Sequence, residues 1–241
     1  MRYGIVSDIH GNLEALQAVL DLCNGEGVED FLCLGDIVGY GANPKECLHI
    51  VRGLKMTYVA GNHDWAVSGR LDPTYFNPVA KKAVYWTQKQ LSSEEIGFLK
   101  DLPLVFANDD FILAHGTLCE PERFHYMMYS LQAAETFHLM DRDLCFIGHS
   151  HAPQIIIQQG EESRSSEALK IKVEPEHKYI INTGSVGQPR DGNPMAAYCI
   201  YDTDSCVVEI KRTPYDIQAA QEKILKSGLP VSLAERLAVG H

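Results

Sequence analysis

The chain has 241 residues, 45% of them hydrophobic, and a formal net charge of −11. That length and composition suit one large globular domain or two small ones and exclude a disordered polyelectrolyte. The acidic balance argues against a general nucleic-acid binder, which carries a basic face, but leaves a small anionic ligand open wherever bound cations reverse the local field. No apolar stretch approaches the ~20 residues of a membrane span. Met1–Val6 runs straight into a strand pattern, without the long apolar region and cleavage site of a signal peptide. A cytoplasmic location and no membrane partner are expected. Seven cysteines, an odd number with no C-x-x-C pair, fit reduced thiols. Cys33, Cys145 and Cys199 lie in apolar runs and read as packing residues.

The first half alternates strand and helix. Tyr3–Val6 is a short apolar strand, and Leu13, Leu16, Val19 and Leu20 recur at helical spacing behind Asn12, a good N-cap. Phe31–Leu34 is the second strand, Pro44 opens the next helix, and Met56–Ala60 is the third strand. This β-α-β-α-β rhythm predicts a parallel sheet with right-handed crossovers. Residues Asp64–Asn77 read as irregular. Pro78–Leu91 reads as a helix, and Ser92-Ser93-Glu94-Glu95 is a capping box that opens another. Leu104–Ala107 and Phe111–Ala114 flank Asn108-Asp109-Asp110 and predict a hairpin, followed by a helix over Ser130–Leu139 and a strand over Leu144–Ile147.

The second half reads as antiparallel strands: Gln154–Gln158, Ile171–Val173, Tyr179–Asn182, Ala196–Tyr201 and Val207–Arg212. The polar stretch Gln159–Ala168 reads as a solvated loop. Two helices close the chain, over about residues 215–239, interrupted at Gly228-Leu229-Pro230. With no repeat and no domain boundary in sight, residues 1–241 are expected to form a single domain of two facing sheets with helices outside.

Five clusters carry the chemistry: Asp8-Ile9-His10, Gly35-Asp36, Gly61-Asn62-His63-Asp64, His115, and Gly148-His149-Ser150-His151. Each follows an apolar run that reads as a buried strand, so each would sit in a loop at a strand's C-terminal end, where open α/β sheets place their sites. In an extended chain, the two-residue spacing in Asp8–His10 and His149–His151 puts both side chains on one face. Gly35 would let the backbone turn and aim the Asp36 carboxylate off the strand, and two oxygens allow that carboxylate to bridge. Asn62 offers a neutral oxygen, and His63 beside it titrates near neutrality. Taken singly, each has a plainer reading: a helix-capping Asp, a turn Asp, a Gly-Asn turn, a structural histidine. Taken together, they are a complete ligand set for two divalent metals plus one spare histidine.

The order D-x-H, G-D, G-N-H-[D/E], H, G-H-x-H resembles the calcineurin-like metallophosphoesterase superfamily across residues 8–151. Asn182–Arg190 further resembles the N-P-G-S-x-G-x-P-R segment of its small bacterial and archaeal phosphodiesterase branch, with Thr183 in place of the usual proline. The resemblance implies an α/β fold, a four-layer α/β/β/α sandwich of two facing mixed sheets with outer helices. It implies two divalent metal ions, with manganese, iron, zinc and nickel all compatible. Asp8, His10, Asp36 and His151 would hold the first, and Asp36, Asn62, His115 and His149 the second, with Asp36 bridging. It implies hydrolysis of a phosphodiester or nucleotide phosphoanhydride bond in a small anionic substrate by metal-bound hydroxide, with His63 as the acid for the leaving oxygen.

Arg123, Arg190 and Tyr40 are candidate substrate contacts, each with a plain surface or packing alternative; Trp65 and Tyr75 are further candidates for stacking a nucleobase. Two other functions compete. Serine/threonine phosphatases of the superfamily continue G-D-x-V-D-R-G, whereas this chain has Gly39 and Tyr40 where they have Asp and Arg. A non-catalytic scaffold of the same fold would have lost ligands or the acid histidine. Neither oligomeric state nor physiological substrate follows from the residues.

Overall fold

The computed structural model describes residues 1–54 and 56–241. In chain order the elements are β1 (Arg2–Val6), α1 (Leu13–Gly25), β2 (Asp30–Cys33), α2 (Pro44–Gly53), β3 (Thr57–Tyr58), α3 (Asn62–Ser68), α4 (Pro78–Gln90), α5 (Ser93–Asp101), β4 (Val105–Ala107), β5 (Phe111–Ala114), α6 (Ala133–Leu139), β6 (Leu144–Ile147), β7 (Gln154–Gln159), β8 (Glu162–Ser166), β9 (Lys170–Lys172), β10 (His177–Asn182), β11 (Ala196–Asp202), β12 (Val207–Thr213), α7 (Ile217–Lys226) and α8 (Val231–Glu235). They form two six-stranded sheets of order β3-β2-β1-β11-β12-β9 and β4-β5-β6-β10-β7-β8.

Side-chain alternation along these apolar strands builds the layers. Ile5, Leu32, Phe111, Leu113, Leu144, Phe146 and Ile181 point between the sheets and form one core. Their neighbours point outward. Val6, Cys33, Tyr198 and Ile200 meet Leu16, Val19, Leu48, Val84 and Leu99 of the helices on one side. Ile112, Cys145, Ile147 and Ile180 meet Phe137 of α6 and Met140 on the other. The result is the four-layer sandwich, with most helices on the first sheet and a thin cover on the second. The closing helices α7 and α8 pack Ala220, Ile224 and Leu233 against Ala80, Ala83 and Tyr40. Among the described residues no helix is long and apolar enough to cross a membrane. All seven cysteines are free thiols, and Cys33, Cys145 and Cys199 pack in the core.

Parallel pairing positions the site. Strands β1, β2 and β3 run parallel in one sheet, and β5, β6 and β10 in the other. Their C-terminal ends gather at one edge of the sandwich; four clusters lie in the loops that leave them, and Gly61–Asp64 forms the start of the helix that follows β3.

Three expectations are corrected. The stretch from Asp64 is not irregular at its start: Asn62–Ser68 is helix α3, opened by Asp64, whose Oδ2 accepts from the Gly61 N–H at 3.0 Å. Residues Gln159–Ala168 are not all loop, because β8 pairs antiparallel with β7 from Ile155–Ser166 to Gln159–Glu162. Its polar composition is that of an edge strand, which charged side chains protect from further pairing. The second half is mixed rather than antiparallel throughout, since β10 lies parallel to β6.

Candidate functional site

The loops bring Asp8, His10, Asp36, Asn62, His115, His149 and His151 together, none of the carboxylates or imidazoles more than 6% exposed. Two groups form, sharing Asp36. One is Asp8, His10, Asp36 and His151; the other is Asp36, His115 and His149, and within each group the ligand atoms lie within 4.8 Å of one another. Asn62 joins the second group through Oδ1, which is 3.2 Å from His115 Nε2.

The local backbone differs from the extended chain expected for the D-x-H and H-x-H pairs. Asp8, His10, Asp36, Tyr40, His149 and His151 all have φ between 48° and 67°. The paired side chains therefore converge through left-handed residues beyond the strand ends, not through the strand pleat. Non-glycine residues in this region are strained and cluster at functional sites. Gly35 is required twice over: its φ is 92°, and a Cβ there would lie 2.4 Å from the Gly61 nitrogen.

Each carboxylate is held by one oxygen and presents the other. Asp36 Oδ1 accepts from the His63 N–H at 2.8 Å. Its Oδ2 lies 3.5 Å from His10 Nε2 and 3.4 Å from His115 Nε2, one from each group. Asp8 Oδ2 accepts from Ser7 Oγ at 2.6 Å and from the His149 N–H at 3.0 Å. Its Oδ1 is buried without a hydrogen-bond partner, 3.2 Å from His151 Nε2.

Backbone carbonyls orient three of the imidazoles. His10 Nδ1 lies 3.1 Å from the Val38 oxygen, His115 Nδ1 2.7 Å from that of Leu34, and His151 Nδ1 2.5 Å from that of Gln188. A carbonyl only accepts, so Nδ1 carries the proton and Nε2 turns a lone pair inward when the ring is neutral. Burial lowers the pKa of both His10 and His151. When both rings are neutral they face each other Nε2 to Nε2 at 3.1 Å, lone pair to lone pair, whereas a protonated His151 faces Asp8 Oδ1 at 3.2 Å. Burial opposes ionisation of Asp8 and Asp36, but the neighbouring imidazoles, chiefly His151 at Asp8 and His115 at Asp36, hold both carboxyls well below the ordinary range. Burial would likewise lower His115, but Asp36 and Asp8 outweigh it and raise it to about 9. Opposed lone pairs, an orphaned carboxylate oxygen and a histidine driven to hold a proton all call for positive charge between these side chains. The mixed nitrogen and oxygen donors fit divalent metals.

His63 stays out of both groups. Its Nδ1 is buried without a partner against Gly39, where a Cβ would come within 2.5 Å. The ring packs against Tyr40 at 4.3 Å, Phe76 at 5.0 Å and His10 at 4.9 Å. Burial pushes its pKa down to about 4 despite the nearby Asp36. Its remaining nitrogen is the one left to face the cavity that His63 helps to line.

That cavity has a volume of about 810 Å³ and opens over the two groups. Tyr40, Phe76, Phe124 and Tyr126 supply apolar wall, with Arg190 and Arg123 as cations. Arg190 lies over the Tyr40 ring at 5.6 Å, so Tyr40 touches both this guanidinium and the tilted His63 ring. Arg123 reaches the rim but pairs with Glu120 at 3.1 Å and is largely exposed. Tyr75 stands at the mouth, 85% exposed. Trp65 does not line the cavity; it packs behind the wall, edge-on to Phe124 at 5.5 Å.

Two contributors have roles that the sequence did not indicate: Tyr126, which was not expected at the site, and Asp64, expected only as part of the Gly61–Asp64 cluster. Tyr126 stacks on His149 with ring centroids 3.8 Å apart and planes 17° apart. Its only sequence signal is the aromatic and methionine-rich run Phe124–Tyr129, which follows no helix or strand period. Asp64 accepts from the N–H groups of Gly61 and Val38 and so ties the loop after β3 to the loop after β2. Burial, reinforced by Asp36, raises its pKa to about 7.

The chain is similar to known proteins. Residues 1–206 match the calcineurin-like phosphoesterase superfamily domain. An uncharacterized protein of Methanocaldococcus jannaschii is 42% identical over 241 residues, covering 98% of this chain and 97% of its own. The phosphodiesterase YfcE of Escherichia coli is 28% identical over 211 residues, covering 85% and 89%. The crystal structure of a metallophosphoesterase from Sphaerobacter thermophilus superposes with a TM-score of 0.88 at 41% identity, over 100% of both chains. A family match over most of the sequence and a close likeness along its whole length agree with the gathered carboxylates and imidazoles: the chain belongs to the calcineurin-like phosphoesterase superfamily.

Proposed function

We propose that the chain is a dinuclear-metal phosphoesterase that hydrolyses a phosphodiester or phosphoanhydride bond in a small, nucleotide-like substrate. One observation carries this reading: two ligand groups share Asp36 on the floor of a cavity large enough for such a molecule. Asp8, His10, Asp36 and His151 would hold one divalent ion, and Asp36, Asn62, His115 and His149 the other. The donor set accepts manganese, iron, zinc or nickel. Bound there, two such ions supply Lewis acidity, activating the attacking water and neutralising charge on the phosphoryl oxygens.

The protein groups do the remaining work. The Val38, Leu34 and Gln188 carbonyls fix three imidazoles with Nε2 inward, so the ligands are preorganised. Arg190, held by Gln188 through Nε and Nη2, offers its remaining guanidinium donors to anionic oxygens of the substrate. His63, free of both groups, passes a proton from its cavity-facing nitrogen to the leaving oxygen. The phosphate charge beside it opposes the burial that otherwise keeps the ring neutral.

The serine/threonine phosphatase reading is disfavoured by Gly39. It has φ 97°, and any Cβ there would strike His63 Nδ1, so the aspartate of those enzymes has no room. The scaffold reading is disfavoured by the gathering of every expected ligand beneath a cavity that His63 helps to line. Metal-loaded protein should contain two divalent ions per chain by elemental analysis and hydrolyse bis(4-nitrophenyl) phosphate, with kcat/KM on phosphoserine peptides below that on nucleotide esters. One ion or none in folded protein would overturn the dinuclear reading, and a phosphopeptide preference would reverse the substrate ranking.

A further inference from the structure

Two guanidinium groups meet beside the cavity on a single neutral oxygen. Gln188 Oε1 accepts from Arg190 Nε at 3.3 Å, from Arg190 Nη2 at 2.8 Å and from Arg236 Nη1 at 3.1 Å. Gln188 is itself fixed: it is 2% exposed, its N–H donates to Ser185 Oγ at 2.8 Å, and its carbonyl accepts from His151 Nδ1. Both arginines therefore hang from the residue that orients a proposed metal ligand. Arg236 arrives on the turn Arg236–Ala238 that follows α8, outside the residues 1–206 shared with the superfamily domain. Leu233 and Leu237, on either side of it, anchor that turn in the cluster that contains Tyr40.

Neither guanidinium has a carboxylate within 4.0 Å among the described residues. The adjacent Asp191 is taken by Arg212. Elsewhere, Lys211 is paired with Glu26 and Lys223 with Glu14, and the half-buried Lys178, which has no carboxylate among the described residues, is alone on two carbonyls and shares them with no second cation. Holding two like charges together, half-buried, on one neutral acceptor is unfavourable unless an anion is brought to them. Forked guanidinium groups suit phosphate oxygens better than any other side chain. Arg190 also lines the cavity above the Asp36 centre, and Arg236, which is not among the lining residues, adjoins it through the shared Gln188 oxygen, so an anion drawn to this pair would border a phosphoryl group at that centre.

We propose that Arg190 and Arg236 form a second anion subsite, which takes the neighbouring anionic group of a substrate whose scissile phosphoryl lies over Asp36. The preferred substrate then carries two adjacent phosphoryl groups, as a phosphoanhydride does, and the C-terminal turn takes part in choosing it. This rests on the phosphoester reading for the place of the first phosphoryl group.

Calorimetric titration of metal-loaded protein with methylphosphonate and with methylenediphosphonate, neither of which can be hydrolysed, tests the subsite. Wild type should bind the diphosphonate more tightly by about tenfold or more, the scale of one charge-assisted contact. R236Q should lose most of that preference and keep its affinity for methylphosphonate; chelation of metal in solution is common to both proteins and cancels. R236K, which keeps the charge but not the fork, should fall between them and serves if R236Q folds poorly. No preference in wild type, an unchanged preference in both variants, or equal weakening of both ligands would overturn the proposal. Hydrolysis of bis(4-nitrophenyl) phosphate is followed in parallel. Its absence, with the diphosphonate preference intact, would sink the phosphoester reading and leave the subsite standing.

Discussion

Asp8, Asp36 and His115 on the floor of the cavity are at most 1% exposed, whereas Tyr126 and Tyr75 on its rim are 49% and 85% exposed. Floor residues sit one to four positions beyond a parallel strand, and backbone groups hold them: carbonyls on the imidazoles, amides on the carboxylates. Rim residues come from the stretch between α3 and α4, from the loop after β5 and from the turn Arg236–Ala238, and side chains hold two of them, as Tyr126 lies on His149 and Arg236 on Gln188. A floor set by backbone is rigid and independent of its neighbours' identities. A rim set by side chains can change by single substitutions without disturbing the sheets. The first suits an invariant reaction and the second an adjustable choice of substrate.

If that division holds, substitutions should sort by depth. The largest effect is expected for Asp36→Asn, which removes the shared carboxylate: both ions should be lost and the rate should fall on the order of 10³-fold or more. Asn62→Ala removes one neutral ligand and should leave the other ion in place. Equal metal content in these two variants would show that Asp36 does not join the groups. Next comes His63→Ala, which should keep both ions and lose ~10²–10⁴-fold in rate. The loss should be greater on an ester with a ribose-type leaving group than on a nitrophenyl ester, because nitrophenolate departs without a proton. Equal losses would mean that His63 binds phosphate, and lost metal would make it a ligand.

The smallest effects belong to the rim. Tyr126→Ala should raise KM for a nucleotide ester by roughly tenfold, the scale of one base–aromatic stack, with little change in kcat. Arg123→Ala, which removes an exposed arginine already paired with Glu120, should change kcat/KM by less than about threefold. A fall in kcat as large as that of His63→Ala at either position would erase the distinction between floor and rim.

The same contrast explains what the sequence revealed. Each floor cluster follows an apolar strand, and a strand end places its loop, so Asp8, Asp36, His115 and His149 were legible together once the strands were. The local shape was not. Convergence of Asp8 with His10 was expected from the pleat, but it comes from left-handed backbone that no spacing rule encodes. Helix α3 was hidden because its opening depends on Asp64, read as part of a metal motif and not as a cap. Strand β8 was hidden because edge strands are polar, as loops are. Tyr126 and Arg236 were beyond reach for a different reason. Their partners His149 and Gln188 are distant in sequence, and nothing local marks either residue. Trp65, a candidate for stacking on composition alone, turns its ring to Phe124 instead.

The six left-handed residues of the site, five of them proposed ligands through histidine or aspartate at 8, 10, 36, 149 and 151, also bear on how such a site can be lost. Each strained conformation costs about 1–3 kcal/mol, which ligand chemistry offsets only while ions are held. Once a lineage stops using the centre, glycine or asparagine at any of these positions relieves the backbone as it discards the ligand. Decay is then favoured by stability, and return is opposed by it. The fold would act as a ratchet: a descendant that gave up its ions would grow sturdier with each ligand lost, and the route back to catalysis would climb at every step.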